Sequence, residues 1–140
     1  MIYRALLLFC DELFAVIGAG RFMETDEFVA WAPSPEAPAV SVTKPFNGEA
    51  ATVGNGNMVA LMVDSPEKVD LVYNKAIELG TKDEGPAGPR GEMEGFYAGY
   101  FRDLDGNKFN VFYLEMLAAQ LVCMQYFVKK GALWWRLFSI

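Results

Sequence analysis

The sequence predicts an α+β fold of two related modules, each a strand, a helix and three further strands, with the leading strand of the first module missing. Three observations lead there. Apolar residues recur at helical spacing over residues 2–17 and again from Val69 to Ile77. Short strand-like segments follow each helix. A polar stretch rich in Gly and Asn, residues 47–57, separates the two sets.

In chain order, the first helix carries Ile2, Leu6, Phe9, Leu13, Val16 and Ile17 on one face and stops at Gly18-Ala19-Gly20, a natural C-terminal cap. Strands are expected over residues 21–24, 27–32 and 39–44. Thr25-Asp26 divides the first two, and the Pro-rich residues 33–38 divide the second from the third. The unbroken apolar run at residues 58–63 has strand length and implies cover on both faces. Ser65 suits the cap of the second helix, Pro66 its first position and Glu67 its positive end, with Gly80 closing it. Residues 83–95 read as a long Gly/Pro loop. Residues 96–113, FYAGYFRDLDGNKFNVFY, then form a hairpin, because Asp103, Asp105, Gly106 and Asn107 suit a tight turn between alternating aromatic segments. An Asx-turn or a salt bridge at the tip accounts for Arg102, Asp103 and Asp105.

Composition narrows the function. The chain has 140 residues, of which 53% are hydrophobic and 14% aromatic. This exceeds an ordinary soluble domain and calls for a cavity lining, an oligomer interface or a membrane surface. A net charge of −6 argues against nucleic acid. Cys10 and Cys123 lack CxxC spacing and read as buried free thiols in a reducing compartment, hence a cytoplasmic protein. The apolar run at residues 5–10 is too short for a secretory core, and no stretch reaches the roughly 18–20 apolar residues of a membrane span. With no histidine in the chain, Ser-His and Cys-His dyads are excluded. Gly54-Asn55-Gly56 precedes a strand, the wrong context for a phosphate loop.

The order of these elements resembles the vicinal oxygen chelate superfamily, the glyoxalase / bleomycin resistance protein / extradiol dioxygenase group. Phe9-Cys10-Asp11 matches the FYD-like motif of the first helix, and Val29-Ala30-Trp31 a strand of the first module. Gly54-Asn55-Gly56 stands before the leading strand of the second module, and Asp103–Asn107 before its last. At 140 residues the chain suits a single domain, residues 1–140, of which the resemblance covers roughly residues 9–114. Residues 2–46 form the first module, 47–57 the linker, 58–114 the second module and 115–140 an extension of helix and strand.

Members of the group commonly hold a divalent ion through inward-facing His and Glu. The resemblance places Met58 where His is usual and Asn110 where Glu is usual, and the first-module ligand has no counterpart. A thioether and a neutral amide are poor donors for such ions. No cofactor and no metal are therefore expected, although Glu92, Glu94 and Glu115 are available carboxylates. If Met58 faces the cavity, alternation puts Ala60 and Met62 beside it and turns Val59, Leu61 and Val63 to the helix. If the turn pairs Arg102 with Lys108, Tyr100 lies across from Asn110, with Ala98 and Phe112 on the same face. Such a hollow suits a flat or aliphatic small molecule, and the same side chains would equally serve as core.

The tail lies beyond the group's usual end. Residues 116–128 are apolar nearly all round and closed by Lys129-Lys130-Gly131; residues 132–140, ALWWRLFSI, read as a strand. A missing strand at the front and a surplus one at the back invite one expectation. The segment with Leu133, Trp134, Trp135, Leu137 and Phe138 fills the vacant slot, in its own chain or in a partner's, and so fits a homodimer. A competing reading puts Trp134 and Trp135 at a membrane surface. Three functions remain open: a metal-free protein binding a small hydrophobic or cationic molecule between the modules, a metal-dependent lyase, isomerase or dioxygenase with displaced ligands, and a truncated, non-catalytic relative.

Overall fold

The computed structural model describes residues 2–91 and 93–115. The expectations for Glu92, for Cys123, and for the helix and strand of residues 116–140, Leu133, Trp134, Trp135, Leu137 and Phe138 included, lie outside the described residues. The elements run α1 (Ile2–Ala15), β1 (Gly20–Glu24), β2 (Phe28–Ala32), β3 (Val40–Thr43), β4 (Val59–Met62), α2 (Pro66–Glu78), β5 (Lys82–Pro89), β6 (Phe96–Arg102) and β7 (Lys108–Leu114). The first module forms a three-stranded sheet, β1-β2-β3, and the second a four-stranded sheet, β4-β7-β6-β5. This is the α+β plan of helix and three strands, then strand, helix and three strands.

Local chemistry accounts for each boundary. Ser65 Oγ accepts from Lys68 N at 3.3 Å, satisfying one of the helix's free amides, and Pro66 follows in the first turn. α1 ends at Ala15, two residues before the Ile17 expected from spacing. Val16 and Ile17 tighten instead into bonds to Leu13 O and Phe14 O. The hairpin turn is built on Asp103, whose carboxylate accepts from Asp105 N at 3.0 Å and Asn107 N at 2.8 Å, with Gly106 at φ +89°.

Two expectations are corrected. The weak strand expected between the second helix and the hairpin is β5, and it runs on through much of the presumed loop at residues 83–95, bonded to β6 through an irregular register. Pro86 and Pro89 are tolerated because β5 is an edge strand, where a missing N–H breaks no inner ladder. The run at residues 58–63 is covered on one face only among the described residues. Leu61 and Val63 are buried, but Met58 is 47% exposed and Met62 59%. Apolar side chains on both sides of a strand do not by themselves ensure that both sides are covered.

The core joins both modules. α1 packs against α2, and Leu13, Phe14, Val29, Trp31, Val69, Val72, Phe101 and Val111 are among its buried members. Phe101 and Phe109 stack with centroids 5.6 Å apart and planes 6° apart. Gly99 belongs to this packing: a Cβ there would lie 2.9 Å from Tyr73 Cδ2, so only glycine lets α2 approach β6 this closely.

Candidate functional site

The sheet of the second module has a helix face and a cleft face, and alternation assigns every side chain to one of them. Arg102 lies opposite Lys108, Tyr100 opposite Asn110 and Ala98 opposite Phe112. The parallel ladder sets Ala60 beside Asn110 and Met62 beside Phe112. Met58, Ala60, Met62, Ala98, Tyr100, Asn110 and Phe112 thus share one face, away from α2. They differ in cover. Ala98 and Asn110 are buried, at 0% and 3% exposure, while Met58, Ala60 and Met62 stand open. Tyr100 and Phe112 are half-buried.

Three residues on or over this face were not anticipated. Phe96 packs on Phe112 at 5.8 Å. Arg90 lies 5.0 Å from the centre of the Tyr100 ring and Lys108 5.4 Å from it. Phe96 and Lys108 were legible, since each lies two residues from an assigned cleft residue on its own strand. Arg90 carried no such signal, because it reaches Tyr100 from the segment after β5. It is held there by donating from Nε to Ala98 O at 2.9 Å and from Nη2 to Pro86 O.

The donor set decides what the face can hold. Asn110 Nδ2 makes long contacts, 3.4 Å, with Gly99 O and Val111 O, and is turned into the sheet. Met58 offers only a thioether. Glu94 and Glu115 are exposed, and among the described residues no three His, Cys, Asp or Glu side chains cluster as ligands would. These residues do not fit the divalent ion that the fold group commonly carries, which needs hard or imidazole donors converging on one point.

A separate cavity of about 570 Å³ lies between the modules. Leu6, Cys10 and Phe14 of α1 wall it on one side, β3 on another, and Met58 and Val59 on a third. Of the seven expected cleft residues only Met58 reaches it. Burial pushes the Cys10 thiol up to about 12, with Asp103, Asp11 and Asp105 adding to the rise, so it is a poor nucleophile. Burial, and then Asp103 beside it, also raises Asp105 above the usual carboxylate range. On the other side of α1, Asp11 accepts from Arg21 Nε and Nη2, both at 2.9 Å, and from Trp31 Nε1 at 2.8 Å. Arg21 holds its carboxyl below the ordinary value. The Asp and Trp of the two first-module motifs are therefore structural partners.

A two-module α+β protein with an open apolar cleft is the class that this geometry defines. Comparison with known proteins narrows it. No protein-family model matches the chain, and no curated protein does. Among solved structures, a glyoxalase/bleomycin resistance protein from Albidiferax ferrireducens is 31% identical over 80% of this chain and 89% of its own, with a TM-score of 0.71. A glyoxalase-related enzyme from Fulvimarina pelagi is 19% identical, covering 79% of this chain and 78% of its own, at 0.60. The fosfomycin resistance protein FosX from Mesorhizobium loti is 18% identical, covering 85% and 87%, at 0.58. The last two likenesses concern the fold; the first carries the family. The chain belongs to the glyoxalase/bleomycin resistance protein family. Among the described residues no helix is long and apolar enough to cross a membrane.

Proposed function

We propose that this chain is a metal-free binding protein that holds a small hydrophobic molecule on the cleft face of its second module, closed over by a second copy in a cytoplasmic homodimer. One observation carries the reading. Met58, Ala60, Met62, Tyr100 and Phe112 form a connected, partly open apolar surface with one amide, Asn110, and, among the described residues, no converging metal donors. Methionines adapt to varied apolar shapes, and an aromatic pair supplies a flat wall. Of the two ligand types, hydrophobic and cationic, the first is favoured. Arg90 and Lys108 already lie over the Tyr100 ring, the surface a cation would seek. A second copy would cover Met58 and Met62, which are costly to leave in water at roughly 25 cal/mol per Å².

A thermal-shift panel of neutral aromatic and aliphatic compounds, run beside quaternary ammonium compounds, tests the proposal. Ligand binding to the native state raises its melting temperature. Neutral compounds should raise it, and the double variant Met62→Glu, Tyr100→Ala should abolish the response. A response confined to the ammonium compounds would overturn the choice of ligand class. Silence across the panel would favour a non-catalytic relative kept for assembly.

A further inference from the structure

Most positive side chains among the described residues meet a carboxylate of the same chain. Arg21, Lys44, Lys68, Lys75, Lys82 and Arg102 each lie within 3.5 Å of an Asp or Glu oxygen. The others are Arg4, exposed on α1, and Arg90 and Lys108, both half-buried. In a chain of net charge −6, two half-buried cations with no carboxylate beside them among the described residues call for an explanation.

Both stand at one ring. Arg90 Cζ is 5.0 Å and Lys108 Nζ 5.4 Å from the centre of Tyr100. Tyr100 is on β6, the strand between β5 and β7. Lys108 comes to it from β7, and Arg90 from the chain just after β5. Gly85, opposite Tyr100, makes room for this approach: a Cβ there would lie 3.2 Å from Arg90 Nη2 and 3.5 Å from Tyr100 Cδ2. The guanidinium donates to Ala98 O and Pro86 O, which fixes its plane but does not neutralise it. An aromatic face attracts cations, yet it carries no net charge, so two like charges against one ring remain uncompensated.

We infer that Arg90, Lys108 and the Tyr100 hydroxyl form an anion subsite at one end of the cleft, and that the ligand is an amphipathic monoanion, a carboxylate on an aliphatic or aromatic body. The inference rests on the reading that the cleft face of the second module holds a small hydrophobic molecule. Charge-assisted bonds from Arg90 and Lys108 take the carboxylate, and Met58, Met62 and Phe112 take the body. Neighbouring strands lie about 4.8 Å apart, so β4 is about 10 Å from β6 across β7, roughly the length of an eight-carbon acid. A neutral molecule gains only the apolar face, a carboxylate gains both ends, and a cation is repelled.

Isothermal titration of the full chain with matched pairs tests this: octanoate beside octanol, and phenylpropionate beside phenylpropanol. Each carboxylate should bind at least about tenfold tighter than its alcohol at low ionic strength, and added salt should narrow the gap. Arg90→Gln and Lys108→Gln should each shrink that ratio, and Arg90→Lys, which keeps the charge, should retain part of it. A variant that merely loosens the fold weakens both members of a pair and leaves the ratio unchanged. Alcohols that bind as tightly as the carboxylates would overturn the inference and leave the hydrophobic reading standing; binding of neither would overturn both. A carboxylate advantage that emerges only in Glu92→Gln would show that the chain answers this charge itself, and would also overturn the inference. An advantage untouched by both Gln variants would overturn the assignment of the subsite.

Discussion

In the second module a strand, β4, lies parallel beside β7, the last of its meander; in the first, no described strand pairs with β3 on the side away from β2. Both modules nevertheless keep a helix packed on an antiparallel meander of three strands. The difference teaches that the described residues repeat a helix and a three-stranded meander in each half, while β4 adds a parallel neighbour to the meander of the second alone. It also separates two tasks. The first module supplies a structural cluster, Asp11, Arg21 and Trp31. The second supplies the face that a ligand can use.

The comparison breaks first on core packing. Phe101 is fully buried within the closed second module, so Phe101→Ala should cost about 3–5 kcal/mol in urea unfolding. Phe14 is also buried, yet it borders the cavity, and Phe14→Ala should cost about 2–3 kcal/mol, since part of its surroundings is already void. Equal losses would show that the lining of this cavity is packed as tightly as the second module.

A smaller effect separates two strand glycines. Gly99→Ala drives a methyl into Tyr73 and should destabilise by about 1–3 kcal/mol. Gly20→Ala in β1 meets nothing within 4 Å and should stay within about 0.5 kcal/mol. A cost at Gly20 as large as that at Gly99 would mean that β1 is covered by something not yet described.

Acid should loosen the first module before the hairpin tip. Asp11 has a lowered carboxyl in the folded state, first because of Arg21. Its contribution is present above the unfolded value near pH 4 and is lost as pH falls through the folded one. Asp105 is raised, chiefly by burial; its contribution is present below the unfolded value and lost as pH rises through the folded one. Titration downward from pH 6, followed by NMR, should shift the hairpin-tip amides around Asp105 first and the Trp31 indole N–H only at lower pH, as Asp11 takes its proton. Asp11→Asn should remove the Trp31 shift at a cost of about 1 kcal/mol or less, because the pair is about one-third exposed. The smallest expected signal is at Cys10, which should not react with a disulfide reagent at pH 8 in the folded chain.

Several of these features were legible in the sequence for physical reasons. The five residues 103–107 fix the hairpin register, so Tyr100 opposite Asn110 followed from counting. Ser65, Pro66 and Glu67 marked the start of α2 because each suits a free amide or the positive helix end. β5 was expected only as a weak strand and its extent was hidden, since its Gly and Pro give no strand propensity and β6 supplies the order. The one-sided cover of Met58, Ala60 and Met62 was hidden too, because apolar character does not reveal whether the covering layer belongs to the same chain. Arg90 over Tyr100 depends on a backbone path that no local pattern encodes.

Metal content tests the central claim most directly. The protein, purified after growth with added Zn, Fe, Ni and Mn and then dialysed, should contain well under about 0.1 ion per chain by elemental analysis, as expected of a site built from a thioether and an amide. One tightly held ion per chain, lost on Asn110→Ala, would contradict the account.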